Sequence, residues 1–113
     1  MPDTDTTTAL TTVSDATFAP TVLNSPRPVL VEFTAHWCPP CRMIEPVLTE
    51  IAAENADHLT VVQLDVDTNP VTTAAYGVLS MPTLMLFRDG EPVRTLVGAR
   101  AKRRLLNELS EVL

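Results

Sequence analysis

Val29-Leu30-Val31-Glu32-Phe33-Thr34-Ala35-His36-Trp37-Cys38-Pro39-Pro40-Cys41-Arg42-Met43-Ile44 decides the fold, because its periodicity changes halfway along. Val29 to Phe33 is a near-continuous apolar run, the pattern of a central strand covered on both faces. From Cys41 the spacing becomes helical, and Met43, Val47, Leu48, Ile51 and Ala52 form one apolar stripe reaching to about Asn55. Cys38 and Cys41 sit at the junction and are the only two cysteines in the chain. Two intervening residues put them about one helical turn apart, within reach of a disulfide after modest rotamer adjustment. A Cys-x-x-Cys at a strand-to-helix junction in a small α/β chain reads as a thiol–disulfide redox motif. The amino end of a helix adds partial positive charge and free N–H groups, both of which favour a thiolate.

Working outward, Leu10-Thr11-Thr12-Val13 reads as a short strand, and Ser14 as the N-cap of a helix through Phe18 to about Leu23 or Asn24. Pro20 lies within that helix and should make it irregular. Asn24 to Pro28 is a loop. Pro46 should kink the long helix after Cys38. Thr60 to Val66 is a second buried strand, and Asn69-Pro70 starts a short helix that ends near Gly77. Thr83 to Phe87, the turn Arg88-Asp89-Gly90-Glu91, and Val93 to Val97 form an antiparallel hairpin. Ala101 to Leu113 is a terminal helix with Leu105, Leu106, Leu109 and Val112 turned inward. The fold class is α/β: a central mixed sheet with helices on both faces. Residues 1–10 are acidic and threonine-rich and read as a disordered tail, leaving residues 11–113 as one domain.

The composition closes off several functions. A net charge of −6 argues against nucleic-acid binding, which depends on a basic footprint. Lys102-Arg103-Arg104 is the one basic cluster, and a solvated helix face is its simplest reading. No stretch approaches the ~20 apolar residues of a membrane span. The amino terminus lacks the basic start and apolar segment of a secretory signal, so the expected location is cytoplasmic. In that reducing compartment a cysteine pair is catalytic or metal-binding rather than structural. Structural zinc needs four ligands, and His36 and His58 are poorly placed to complete a set with the cysteines, so no metal is expected.

Taken together, Val29-Leu30-Val31-Glu32-Phe33, Trp37-Cys38-Pro39-Pro40-Cys41, Pro46, Asp65-Val66-Asp67, Tyr76-Gly77-Val78, Met81-Pro82-Thr83, Asp89-Gly90 and Val97-Gly98 resemble the thioredoxin family over roughly Thr11 to Leu113. The resemblance implies the thioredoxin fold and a general protein-disulfide reductase with no cofactor of its own. It would be re-reduced by an NADPH-dependent flavoprotein, thioredoxin reductase, and would act on disulfide-containing target proteins; a monomer is the default expectation. On that resemblance Cys38 is the exposed attacking thiolate and Cys41 the buried resolving thiol. Met81-Pro82 is then a cis peptide bond whose Met81 backbone pairs with an extended target segment. Trp37, otherwise a core aromatic, becomes a partly exposed flap beside Cys38. Gly98 either ends a strand or allows close approach of a target backbone, and both readings stand.

Several positions depart from the family pattern. Glu32 takes the place of a buried aspartate that serves the resolving thiol as proton shuttle, although an edge residue reaching solvent is the plainer reading. Burial should raise its pKa towards neutrality. Gln63 stands where a lysine commonly pairs with that acid, and a neutral amide should leave the Glu32 pKa higher still. Pro39 replaces a glycine, and together Pro39 and Pro40 remove two backbone donors near the Cys38 sulfur. Fewer donors stabilise the thiolate less and favour the disulfide, making the protein more reducing. His36, outside the cysteine pair, reads as a plain surface residue. The alternatives are a disulfide oxidant or isomerase using the same chemistry in the other direction, and a thioredoxin-fold adaptor whose binding role does not need redox cycling.

Overall fold

A computed structural model describes residues 10–113. The elements in chain order are β1 (Thr11–Val13), a π-helical turn (Ala19–Leu23), β2 (Val29–Thr34), α1 (Pro39–Glu54), β3 (Thr60–Asp65), α2 (Pro70–Ala75), β4 (Thr83–Arg88), β5 (Glu91–Val97) and α3 (Lys102–Ser110). The five strands form one sheet in the order β1-β3-β2-β4-β5. β1 and β2 run parallel to β3, while β4 is antiparallel to both β2 and β5, so the sheet is mixed. β2 is central because every one of its first five residues is buried and can pair on both edges: Glu32 lies opposite Gln63 on β3 and Leu84 on β4.

Side chains alternate across the sheet and divide the core in two. On one face Leu30, Val61, Leu84 and Leu86 pack with Ile44, Leu48 and Ile51 of α1 and with Leu105 and Leu109 of α3. On the other, Val31, Phe33, Val62, Leu64 and Met85 pack with Phe18 and Val22. There Tyr76, at the end of α2, meets the rings of Phe18 and Phe87 with centroids 5.6 and 5.2 Å away. Helices therefore cover both faces, as the apolar run in β2 requires.

The β4–β5 hairpin turns at Asp89-Gly90, with φ of 53° and 79°, the paired positive values of a type I′ turn. Glycine is needed at position 90 for a second reason: a Cβ there would lie 3.0 Å from the Leu23 carbonyl oxygen.

Two local expectations are corrected. The helix after Ser14 starts later than expected: Ser14 Oγ accepts from the Thr17 amide as a cap does, but regular winding begins only near Phe18, as the π-helical turn containing Pro20. Met43 is not in the apolar stripe of α1 but 73% exposed, because the face that meets the sheet is set by Cys41, Ile44, Leu48 and Ile51. Most of the expected tail falls outside the described residues, and the one part within them, Leu10, is half-buried against the α1-side core. Among the described residues no helix is long and apolar enough to cross a membrane.

Candidate active site

The carboxyl end of β2 delivers the chain through Ala35, His36 and Trp37 to Cys38, the N-cap of α1. Pro39 and Pro40 occupy the first two helical positions, where their fixed φ suits a helix start and their missing N–H groups would lack helical partners anyway. The first amide that α1 can offer is therefore that of Cys41. It donates to Cys38 Sγ at 3.2 Å. The two cysteines are joined by a disulfide, with Cα atoms 5.3 Å apart.

Cys38 was expected to be exposed, and the structure corrects this: it is 3% exposed, and Cys41 is fully buried. In the bridged state both pack with Ala35, and Val66 and Met81 cover them. The Met81-Pro82 bond is cis. Pro82 in turn accepts from the Gly98 amide at 2.9 Å, which joins the segment after β5 to the one that covers the disulfide. Trp37 is 63% exposed, with its indole N–H donating to Asp67 Oδ2 at 2.8 Å. This bond fixes the ring outside the core. His36 lies on the surface with Nε2 3.4 Å from Asp65 Oδ2, and its carbonyl accepts from Arg42.

Glu32 follows Leu30 by two residues, so it points to the same face of the sheet, towards α1. It is completely buried. Oε1 accepts from Gln63 Nε2 at 3.1 Å, and among the described residues Oε2 has no hydrogen-bond partner. Burial raises its pKa from 4.5 to about 7; the Gln63 bond opposes the rise and the charge of Glu45 adds to it. Glu32 is thus a carboxyl that can be either protonated or ionised near neutral pH, as expected for a buried acid without a paired cation.

Glu45 was not singled out from the sequence, although its place four residues after Cys41 on one helix face was a legible signal. With Arg42 it lines a cavity of about 340 Å³ that Thr12, Thr34, Gln63 and Asp65 complete. Among the described residues no group of three or more His, Cys, Asp or Glu is arranged to hold a metal ion.

A vicinal-type dithiol pair bridged at a helix start, set at the end of a central strand of a mixed sheet, defines a thiol–disulfide oxidoreductase with a redox-active disulfide. The family model for thioredoxin matches residues 9–111, and the chain belongs to the thioredoxin family. It is 59% identical over 100 residues to a thioredoxin of Mycobacterium tuberculosis, a match covering 88% of this chain and 86% of that protein. It is 52% identical over 107 residues to a thioredoxin of Mycolicibacterium smegmatis, covering 93% and 96%. Over 100 residues it is 53% identical to a bifunctional thioredoxin reductase/thioredoxin of Mycobacterium leprae, covering 88% of this chain and 22% of that protein. Its activity is protein-disulfide reduction by dithiol–disulfide exchange.

Proposed function

We propose that Cys38 is the nucleophile of this exchange, Cys41 the resolving thiol and Glu32 its proton acceptor. The observation that carries the assignment is the Cys41 amide aimed at Cys38 Sγ, since a donor at a helix start stabilises negative charge on that sulfur. In the reduced protein the Cys38 thiolate attacks one sulfur of a target disulfide, and the other target sulfur leaves as a thiolate and takes up a proton. The result is a mixed disulfide. Cys41 then gives its proton to ionised Glu32 and attacks Cys38 Sγ, so that the second target thiolate departs and the Cys38–Cys41 disulfide closes. Two electrons have passed to the target.

Trp37, Met81, Pro82 and Gly98 form the surface that receives the target, on this reading. Their grouping around the disulfide supports it: Met81 packs on the cysteines, Gly98 bonds to Pro82, and Trp37 is exposed beside Cys38. Pro39, Pro40 and Gln63 tune the potential and the acid. The electrons come from an NADPH-dependent flavoprotein thioredoxin reductase, a partnership supported by the relative whose name joins thioredoxin reductase and thioredoxin. The protein works as a cytoplasmic monomer and binds neither nucleic acid nor membrane.

The test is trapping. Cys41→Ser, reduced and mixed with a disulfide-bonded target, should accumulate a mixed disulfide through Cys38, identified by peptide mass mapping. Cys38→Ser should accumulate none. Trapping through Cys41 in the Cys38→Ser variant, at a comparable rate, would reverse the two roles.

A further inference from the structure

Arg100 lies in the segment between β5 and α3, yet its side chain is only 7% exposed. Burying a guanidinium is costly unless its donors are met. Here they are. Nη1 donates to Glu108 Oε1 at 2.6 Å, Nη2 to the carbonyls of Val97 at 2.6 Å and Gly98 at 3.2 Å, and Nε to Gly98 at 3.3 Å. Glu108 belongs to α3, which is anchored in the core by Leu105 and Leu109. Its other oxygen faces Arg104 Nε at 3.4 Å.

Val97 ends β5, where it pairs with Thr83, and past it the backbone leaves the sheet. Gly98 has a φ of +98° and nothing within 4 Å of where a Cβ would stand, and the Val97 side chain is exposed. The Gly98 amide nevertheless bonds to Pro82, which adjoins the Met81 that covers the disulfide. A continuous chain of contacts therefore runs from α3 through Glu108 and Arg100 to the rim of the redox site. A planar fork can bridge a carboxylate and two carbonyls at once, and a lysine ammonium cannot hold the same three acceptors in one plane.

We propose that Arg100, held by Glu108, is a positioning residue that fixes the Val97-Gly98 backbone in the shape that receives a target protein. This rests on the reading above in which Gly98 contacts the target. Arg100 touches neither the disulfide nor the target and so acts on recognition rather than on exchange itself.

The experiment measures reduction of insulin, with dithiothreitol as electron source, beside reduction of a small aromatic disulfide too short to need the rim. Arg100→Leu should raise KM for insulin about three- to tenfold, the scale of one charge-assisted hydrogen bond partly transmitted, and leave kcat and the small-disulfide rate within about twofold. Hydrogen exchange at the Gly98 amide should quicken in the same variant, and Arg100→Lys should recover part of both effects. Glu108→Gln, which keeps the shape and removes the charge, should shift KM in the same direction by less, and serves as the test should Arg100→Leu not fold.

Val97→Asp separates the proposal from the reading beneath it. If it leaves KM for insulin unchanged, the target-contact reading fails and the proposal falls with it. If it raises KM while Arg100→Leu and Glu108→Gln do not, the contact reading stands and the proposal alone is overturned. An equal loss on both substrates in the Arg100 variant would also overturn it, since that is damage to the site rather than to recognition.

Discussion

Replacing Glu32 by glutamine should change how the stability of the oxidised protein depends on pH. The carboxyl is completely buried, with one oxygen bonded to Gln63 and the other without a partner among the described residues. Its pKa stands at about 7 against an ordinary 4.5, raised by burial in spite of the Gln63 bond and with help from Glu45. A folded-state pKa above the unfolded one means that folding favours the protonated acid. Its contribution is fully present below pH 4.5, where both states hold the proton. It is lost as the pH rises to about 7, because the unfolded chain gives up the proton first. At about 1.4 kcal/mol per tenfold change in proton affinity, the loss amounts to roughly 3 kcal/mol.

Glutamine cannot ionise, so the variant escapes this loss. The stability of Glu32→Gln minus that of the wild type should rise by about 2 to 3 kcal/mol between pH about 4.5 and pH about 7.5 and then level off. Titrations elsewhere in the chain cancel in the difference. Whatever the new buried NH₂ costs appears as a constant offset, visible at the acid end. Urea unfolding of the disulfide-bonded proteins, followed by circular dichroism at closely spaced pH values, measures the curve directly. A flat difference across this range would refute the reasoning, because it would mean that Glu32 titrates alike in the folded and unfolded chains.

Gln63→Lys should undo part of the same effect. An ammonium beside Glu32 favours the anion and should bring its titration down by a pH unit or more, flattening the loss of stability above pH 4.5, as the same unfolding series would record. Asp15→Ala tests a cap that crosses the fold: Asp15 accepts from the amides of Val71 at 3.2 Å and Thr72 at 2.8 Å, at the start of α2. Burial alone would raise the Asp15 pKa, but these bonds outweigh it and lower the value. The contribution of Asp15 is therefore present above the unfolded pKa and fades as the pH falls through the folded one. The variant should unfold at lower urea concentration at pH 7, with the gap to wild type closing in acid; an equal gap at both pH values would count against the cap.

The strands were legible because their signals are local. The apolar run at β2 and the Asp89-Gly90 turn each name their own conformation within a few residues. The Cys38–Cys41 pair was legible for the same reason, whereas the pairing of Glu32 with Gln63, 31 residues apart, was legible only through the family resemblance, which puts a partner of the buried acid at Gln63. Met43 shows where a local signal misleads. It lies at helical spacing from Val47, yet which residues of an amphipathic helix turn inward is decided by the sheet it meets. Ser14 shows the same for helix starts, since its hydroxyl takes the Thr17 amide yet regular winding begins only near Phe18.

By itself, then, the sequence determined the order of the elements, the redox pair and the acid in the central strand, all properties of residue type at short spacing. Tertiary structure alone decided that Cys38 would be covered in the bridged state, since the atoms that cover it come from Val66 and Met81. It alone gave α2 a cap from Asp15 and joined Arg100 to Glu108 and to the rim of the site. The physical reason is range. Periodicity and turn chemistry act over a few residues of chain, whereas burial and hydrogen-bond satisfaction depend on which distant groups the fold brings within about 3 Å.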